Sequence, residues 1–278
     1  MPVIDFRVRP PFKGFLETVM YTDPVRRDRF TRQLGFEPSP AATEKSVAMM
    51  IAEMDAAGVD IGVVVGRNSG FFGSVDNKTV QEFVAAHPGR FVAVGSIDAA
   101  NRKAAIAEID WAIAAGFKAI NIEPGAYAVP IYTDDRRLYP IYAHCEDRCV
   151  PVIVMNGGNA GPDLSYSKPE ALDRVLADFP TLKVAVSHGG WPWVSEILHI
   201  AYRRPNLYVA PDMYLVNMPG MRDYIDAANG FLRDRFIYAT SFPLCPIKSY
   251  RDWFETVPLT PEARRAALYD NAARFLGL

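Results

Sequence analysis

Short apolar runs recur along the chain, separated by longer segments in which apolar positions return every three or four residues. The runs are Val3–Val8, Ile61–Val65, Phe91–Gly95, Ala119–Ile122, Val152–Val154, Lys183–Ser187, Leu207–Ala210 and Phe236–Tyr238. Most are continuous rather than alternating, the mark of strands covered on both faces. The segments between them predict helices over Thr43–Ala57, Asn77–His87, Arg102–Ala115, Asp134–Asp147, Lys168–Phe179, Pro192–Arg203, Gly220–Asn229 and Pro261–Phe275. Thr43 and Ser46 are plausible caps, Gly58 and Gly116 are stops, and Pro169 suits a first turn, whereas Pro140 kinks or delays its helix. Eight βα units in 278 residues predict an α/β fold, a (β/α)8 TIM barrel built as one domain over 1–278. One stretch breaks the rhythm. Pro10, Pro11, Pro24, Pro38 and Pro40 punctuate a long insertion between the first strand and the first barrel helix, an arm or lid over residues 10–42 in which Asp23–Gly35 can hold a short basic helix.

Such barrels carry their chemistry at the C-terminal strand ends. The sequence places there Arg7, Arg9, Arg67, Glu123, Met155 with Asn156, His188, Asp212, and Thr240 with Ser241. Arg7 and Arg9 stand two apart, so in a strand both leave on one face. Guanidinium groups inside a barrel need an anionic partner, because a buried unpaired cation is expensive. The partner is either an internal carboxylate (Asp5, Glu123 or Asp212) or a small anionic organic substrate gripped by the planar forks. Arg67 has the bland alternative of a surface pairing with Asp76 or Glu82, His188 that of a backbone-satisfied histidine, and Asp212 that of a cap. His87, His144 and His199 sit on helices and read as packed or solvated. Cys245 has no neighbouring histidine to activate it. Tyr127, Tyr132, Tyr166 and Tyr214 are candidates to line the pocket, while Trp191 and Trp193 are expected to pack the sixth loop.

Composition narrows the reading. Half the residues are hydrophobic, enough for a substantial core, and 30 basic against 32 acidic residues leave a net charge of −2. That balance gives no electrostatic footprint for nucleic acid. No apolar run reaches the roughly 18–20 residues of a membrane span. The first residues lack a basic start followed by an apolar core, so a cytoplasmic protein is expected. Cys145, Cys149 and Cys245 have no zinc-type spacing and read as buried free thiols.

The strand-end segments carry a resemblance. Ile4-Asp5-Phe6-Arg7-Val8-Arg9, Met155-Asn156-Gly157-Gly158, His188-Gly189-Gly190-Trp191-Pro192-Trp193, Ala239-Thr240-Ser241-Phe242-Pro243 and Asp270-Asn271-Ala272-Ala273-Arg274 follow one another along the chain. Their layout resembles the amidohydrolase-related family that includes aminocarboxymuconate-semialdehyde decarboxylase and the resorcylate decarboxylases. That family opens with Ile-Asp-x-His-x-His and carries His-Thr-Gly-Gly, His-Gly-Gly-x-Pro-Trp and Gly-Ser-Asp-x-Pro after the fifth, sixth and eighth strands. The resemblance implies a divalent metal held by two histidines, a third histidine and an aspartate. Arg7, Arg9, Met155 and Ser241 stand at those positions here, and only His188 is kept. Arginine does not ligate a metal and two guanidiniums repel a dication. The expectation is therefore a metal-independent hydrolase of the lactonase type, acting on a small organic carboxylate or dicarboxylate, with no cofactor. A wider relative, pyrone-dicarboxylate lactonase, resembles it in working without metal. His188, Asp212 and Glu123 are the catalytic candidates; Arg7, Arg9, Arg67, Asn156 and Ser241 are the substrate-binding ones. The alternatives are a decarboxylase, a non-catalytic ligand-binding descendant, and a residual metal held by Glu123, His188 and Asp212. The resemblance also implies a homo-oligomer, a dimer or tetramer.

Overall fold

A computed structural model describes residues 2–278. Seven parallel strands follow one another in space as in sequence: β1 (Ile4–Val8), β2 (Ile61–Val65), β3 (Phe91–Ser96), β4 (Ala119–Ile122), β5 (Val152–Met155), β6 (Val184–Ser187) and β7 (Leu207–Ala210). The expected eighth strand, Phe236–Tyr238, is not a regular strand. It is an extended segment, too short and irregular for a continuous ladder, that bonds on both sides. The Ile237 N–H donates to the Val209 carbonyl at 2.9 Å and the Phe6 N–H to the Tyr238 carbonyl at 3.2 Å. The Arg9 N–H likewise reaches the Phe242 carbonyl at 3.0 Å, so this segment bridges β7 and β1.

The helices are α1 (Val19–Thr22), α2 (Pro24–Gln33), α3 (Pro40–Thr43), α4 (Val47–Ala57), α5 (Asn77–Ala85), α6 (Arg102–Ala114) and α7 (Tyr139–Asp147). They continue with α8 (Pro169–Asp178), α9 (Val194–Arg203), α10 (Met221–Asn229), α11 (Ile247–Thr256), α12 (Pro261–Arg265) and α13 (Asn271–Leu276). Side-chain oxygens set several starts: Asp23 accepts from the Arg26 N–H, Ser46 from Met49, Asp76 from Thr79 and Asn101 from Ala104. Thr43 is not the cap of the long helix, which Ser46 starts; Gly58, at φ 65°, ends it. Pro140 delays α7 until Tyr139. The last predicted helix is three pieces, because a π turn over Ala266–Asp270 separates α12 from α13. The sequence reading missed α11.

Alternation divides the core. Val63, Val65, Ile153, Ala185, Tyr208 and Ala210 share one cluster with Phe275 and Leu276 of α13. The residues between them, Val64, Val152, Val154, Val184, Val186 and Val209, pack against the surrounding helices in another. Ile4 and Phe6 belong to the first cluster, yet Arg7 and Arg9 also reach inward. The β1–β2 register shifts between Asp5 and Val8, a bulge that re-aims the end of the strand.

The arm over residues 10–42 is tied down. The Tyr21 hydroxyl donates to the Arg9 carbonyl at 2.7 Å, and the Thr31 hydroxyl to the Leu244 carbonyl at 2.7 Å. The buried Arg27 guanidinium bonds the Met20 and Ala42 carbonyls from within the arm. No helix among the described residues is long and apolar enough to cross a membrane.

Candidate active site

Three buried guanidiniums converge on one carboxylate. Glu123, just past β4, lies 2.8 Å from Arg9 Nη2 and 3.3 Å from Arg7 Nη2 through Oε1, and 2.8 Å from Arg67 Nε through Oε2. The Arg67 contact is close but poorly aligned, an ion pair rather than a formed hydrogen bond, since both atoms lack a bonded partner. Asn121 Nδ2 steadies Oε1 at 3.2 Å while also donating to the Gly66 carbonyl. Burial would raise the Glu123 pKa, but the charges of Arg67, Arg9 and Arg7, with the Asn121 hydrogen bond, bring it to about 2. In return, burial and then repulsion from Arg67 and Arg7 push Arg9 well below its ordinary value. Asp212 also acts on Arg7 and Arg9 through space, and two carboxylates against three guanidiniums still leave positive charge uncompensated. Arg7 Nε and Nη1 and Arg9 Nε are buried without a hydrogen-bond partner among the described residues.

A histidine–aspartate pair stands at the next strand ends. His188 Nδ1 lies 3.0 Å from Asp212 Oδ1 and 2.9 Å from Oδ2, and the His188 backbone N–H donates to Oδ2 at 3.1 Å. Asp212 is fixed from behind, its carbonyl accepting the Tyr250 hydroxyl at 2.8 Å. This occupies Nδ1 and leaves Nε2 as the ring nitrogen without a partner among the described residues. Tyr214 meets the His188 ring edge-on at 5.3 Å and stacks on Trp191 at 5.2 Å. Non-glycine residues with left-handed backbone follow three neighbouring strand ends: His188 at φ 63°, Asp212 at 48° and Ser241 at 60°. Such conformations cost about 1–3 kcal/mol each and gather at functional sites.

The two Gly-Gly steps serve close approach. A Cβ on Gly157 would sit 2.8 Å from the Gly190 backbone, and one on Gly158 would enter the Tyr214 ring at 2.3–2.6 Å. The Gly158 N–H donates to the Trp191 carbonyl, locking the fifth and sixth loops together.

A cavity opens over these groups. Arg9, Arg67, His188, Ser241 and Met155 line its floor, and Val19, Met20, Arg26, Arg27 and Phe30 of the arm line it from the other side. Of the residues singled out from sequence, Arg7, Glu123, Asp212 and Asn156 lie behind this lining. Asn156 is fully buried with both amide atoms unpartnered, and the Ser241 hydroxyl is likewise orphaned. Arg67 has neither Asp76 nor Glu82 as partner. Its guanidinium also lies 4.9 Å over the Phe72 ring. Tyr214 lines the cavity as expected; Tyr132 and Tyr166 instead stack on each other at 4.7 Å. Cys245 is buried, its thiol pushed well up by desolvation, while Cys149 is exposed rather than buried. His87 is half-buried against Phe83, and its Nδ1 lies 2.8 Å from the Phe83 carbonyl.

One pair escaped the sequence reading. Asp5, fully buried in β1, accepts from the Thr240 N–H at 2.9 Å, the Thr240 hydroxyl at 2.6 Å and the Arg7 N–H at 3.2 Å. Desolvation outweighs these bonds and raises its carboxyl to about 7.

A curled parallel sheet with its polar side chains gathered at the carboxyl ends of the strands defines an α/β protein of the barrel kind. The chain belongs to the amidohydrolase family, whose model, described as "Amidohydrolase", matches residues 5–278. Among solved structures it is similar to an uncharacterised TIM-barrel protein of Bordetella bronchiseptica, at 55% identity and a TM-score of 0.97, covering 100% of this chain and 99% of that one. It shares its fold with 2,6-dihydroxybenzoate decarboxylase from Rhizobium, at 15% identity and a TM-score of 0.70, covering 100% and 99%. The same holds for 5-carboxyvanillate decarboxylase of Novosphingobium aromaticivorans, crystallised with manganese, at 16% identity and a TM-score of 0.72, covering 100% and 96%. No curated protein matches the chain.

The residues present do not fit a divalent ion. The floor offers guanidiniums, which have no lone pair to give, a thioether, a hydroxyl and one imidazole nitrogen. Glu123 is enclosed by its three arginines and Asp212 by His188, so the residual Glu123, His188 and Asp212 set does not come together. No group of three or more His, Cys, Asp or Glu among the described residues is placed to hold a metal.

Proposed function

We propose that the protein is a metal-independent hydrolase of the lactonase type that acts on a small organic carboxylate. The observation that carries the reading is the His188–Asp212 pair beside cavity-facing Arg9 and Arg67, where uncompensated positive charge awaits an anion. In this reading Arg9 and Arg67 hold the substrate carboxylate or the oxyanion that develops on its acyl carbon. Asp212 keeps the Nδ1–H tautomer of His188, so Nε2 accepts a proton from the attacking water. The tetrahedral oxyanion collapses, the C–O bond to the leaving alkoxide breaks, and His188 returns the proton to it. Arg7 and Glu123 are positioning residues. Glu123, ionised down to about 2 and held by three guanidiniums and the Asn121 amide, fits the role of anchor rather than the acid–base role expected from sequence. Ser241 lines the cavity with its hydroxyl unpartnered and remains a candidate for substrate contact, whereas Asn156, fully buried behind the lining, does not.

The extended 236–242 segment completes the eighth stave of a (β/α)8 barrel in this account, and the 10–42 arm is its roof. The reading carries with it a cytoplasmic setting for the free thiols and a homo-oligomer, dimer or tetramer, which light scattering checks. A second reading, decarboxylation, is favoured by the names of the decarboxylases that share the fold; there His188 would protonate the carbon that loses CO2.

Turnover of carboxylated lactones and aryl esters in H2 18O separates the two. Incorporation of one ¹⁸O into the product acid, lost with a drop of about 10²–10⁴-fold in His188→Gln, is the expected result. Release of CO2 without label in the product would replace hydrolysis by the second reading.

A further inference from the structure

Ser241 lines the cavity from a backbone conformation that serine rarely adopts, at φ 60° in the left-handed region. Its buried hydroxyl has no hydrogen-bond partner among the described residues. The residues on either side supply the restraint. Asp5 Oδ1 accepts from the Thr240 N–H at 2.9 Å and from the Arg7 N–H at 3.2 Å, and Oδ2 accepts from the Thr240 hydroxyl at 2.6 Å. The Thr240 hydroxyl oxygen in turn accepts from the Phe242 N–H at 3.0 Å. Ser241 is thus bracketed: its two neighbours are tied, directly or through one hydroxyl, to a single carboxylate in β1. The same net reaches the floor arginines. The Arg7 N–H is one of the donors to Asp5, and the Phe242 carbonyl accepts from the Arg9 N–H at 3.0 Å. These contacts fall where the β1–β2 register shifts between Asp5 and Val8. On the outer side the Leu244 N–H donates to the Ser241 carbonyl at 3.0 Å, and the Leu244 carbonyl accepts from the Thr31 hydroxyl of the arm.

We infer that Asp5 is a positioning residue for the cavity, whose carboxylate holds Ser241 at the floor beside Arg9, in register with the end of β1. This rests on the proposed reading in that Ser241 contacts the bound carboxylate or the oxyanion that develops from it. Asp5 is fully buried and absent from the cavity lining, so it acts through Thr240. The geometry calls for the ionised form. Three donors converge on two oxygens, and a proton on either oxygen would face a donor already there. Burial opposes that form more strongly than the three hydrogen bonds favour it, Asp212 adds to the opposition, and the carboxyl stands at about 7. The other titratable groups that feel its charge, Tyr238, Tyr250 and Cys245, are kept neutral by burial. Ser241 is therefore held firmly above about pH 7 and less firmly below it.

Hydrolysis of 4-acetoxybenzoate by the whole protein, followed across neutral pH, tests the assignment together with NMR of the same samples. Asp5→Asn leaves one acceptor oxygen for three donors. It should raise KM about tenfold under mildly alkaline conditions, the scale of one hydrogen bond to a charged ligand, with a smaller change in kcat. Thr240→Val should do the same, and Thr240→Ser, which keeps the hydroxyl, should recover most of the loss. In a Ser241→Ala background Asp5→Asn should add less than about twofold, because a residue that acts through Ser241 has nothing left to place. The wild-type KM should rise as pH falls through about 7, a step absent from Asp5→Asn. Additive losses in the double variant, or a KM step that survives Asp5→Asn, would overturn the assignment and leave the proposed reaction standing. If the ester is not turned over, the proposed reading falls and NMR of the wild-type protein decides for Asp5. The Ser241 and Arg9 amides, neither of which donates to Asp5, should then shift with the same midpoint as the Asp5 carboxyl. Amides that stay still while that carboxyl titrates would overturn the assignment, and this readout needs no variant to fold.

Discussion

At the scale of single residues, Glu123 decides whether the arginine cluster can exist. It is the carboxylate that all three guanidiniums touch, and it is buried. Glu123→Gln keeps the shape and the Asn121 contact but leaves three buried cations without their counter-charge. Unfolding in urea should show a loss of about 3–5 kcal/mol, the usual consequence of removing one partner from a buried ion pair. Asp5 and Glu123 give opposite pH dependences. Asp5 rises from 3.8 to about 7 on folding, so the folded state takes up a proton. Its contribution is fully present below the unfolded value and is lost as pH rises through about 7. Glu123 falls from 4.5 to about 2, so its contribution is present above 4.5 and is lost as pH falls through about 2. Asp5→Asn should therefore flatten the decline in stability between about pH 4 and pH 7, by up to about 4 kcal/mol at roughly 1.4 kcal/mol per pH unit. Denaturation at three pH values across that window reads it directly, and a slope equal to wild type would contradict the assignment. Which residue types sit at the strand ends was legible in the sequence, because strand ends are where periodicity breaks. Which of them meet was not: Asp5 and Thr240 stand 235 positions apart, and the bulge before Val8 changes where the two arginines point.

At the scale of elements, the arm is a fixed roof tied to the strand ends, and Arg27 is its internal strut. Arg27→Met keeps the aliphatic bulk and removes the bonds to the Met20 and Ala42 carbonyls. Hydrogen exchange should quicken through residues 19–43 while β1–β7 stay protected, with a loss of about 1–3 kcal/mol in overall stability. Exchange that rises equally in the sheet would show that the arm and barrel are one cooperative unit. The sequence announced most helices through their caps and stops, and the basic helix of the arm through Asp23 and Pro24. It hid α11, although Ile247, Tyr250 and Phe254 are buried at helical spacing. The prolines before it made the stretch read as loop. The expected eighth strand takes the form of bridging contacts rather than a regular ladder, because three apolar residues suffice for a buried segment but not for a continuous ladder.

At the scale of the whole molecule, parallel strands in sequential order bring side chains from distant parts of the chain to one end of the sheet. The order of short apolar runs and helical segments was enough to reach that architecture, since each run is buried on both faces and so betrays itself by continuity. Charge balance at the centre of the sheet was not reachable that way; it depends on how many guanidiniums share one carboxylate. The central proposal is that this surplus of guanidinium charge holds the anionic substrate with no divalent ion in the site. The measurement that tests it most directly is elemental analysis of protein purified without chelator or affinity metal, paired with turnover before and after EDTA. The account predicts well under about 0.1 metal per chain and turnover that EDTA leaves intact, whereas roughly one zinc or manganese per chain, with activity lost on chelation and restored by the ion, would contradict it.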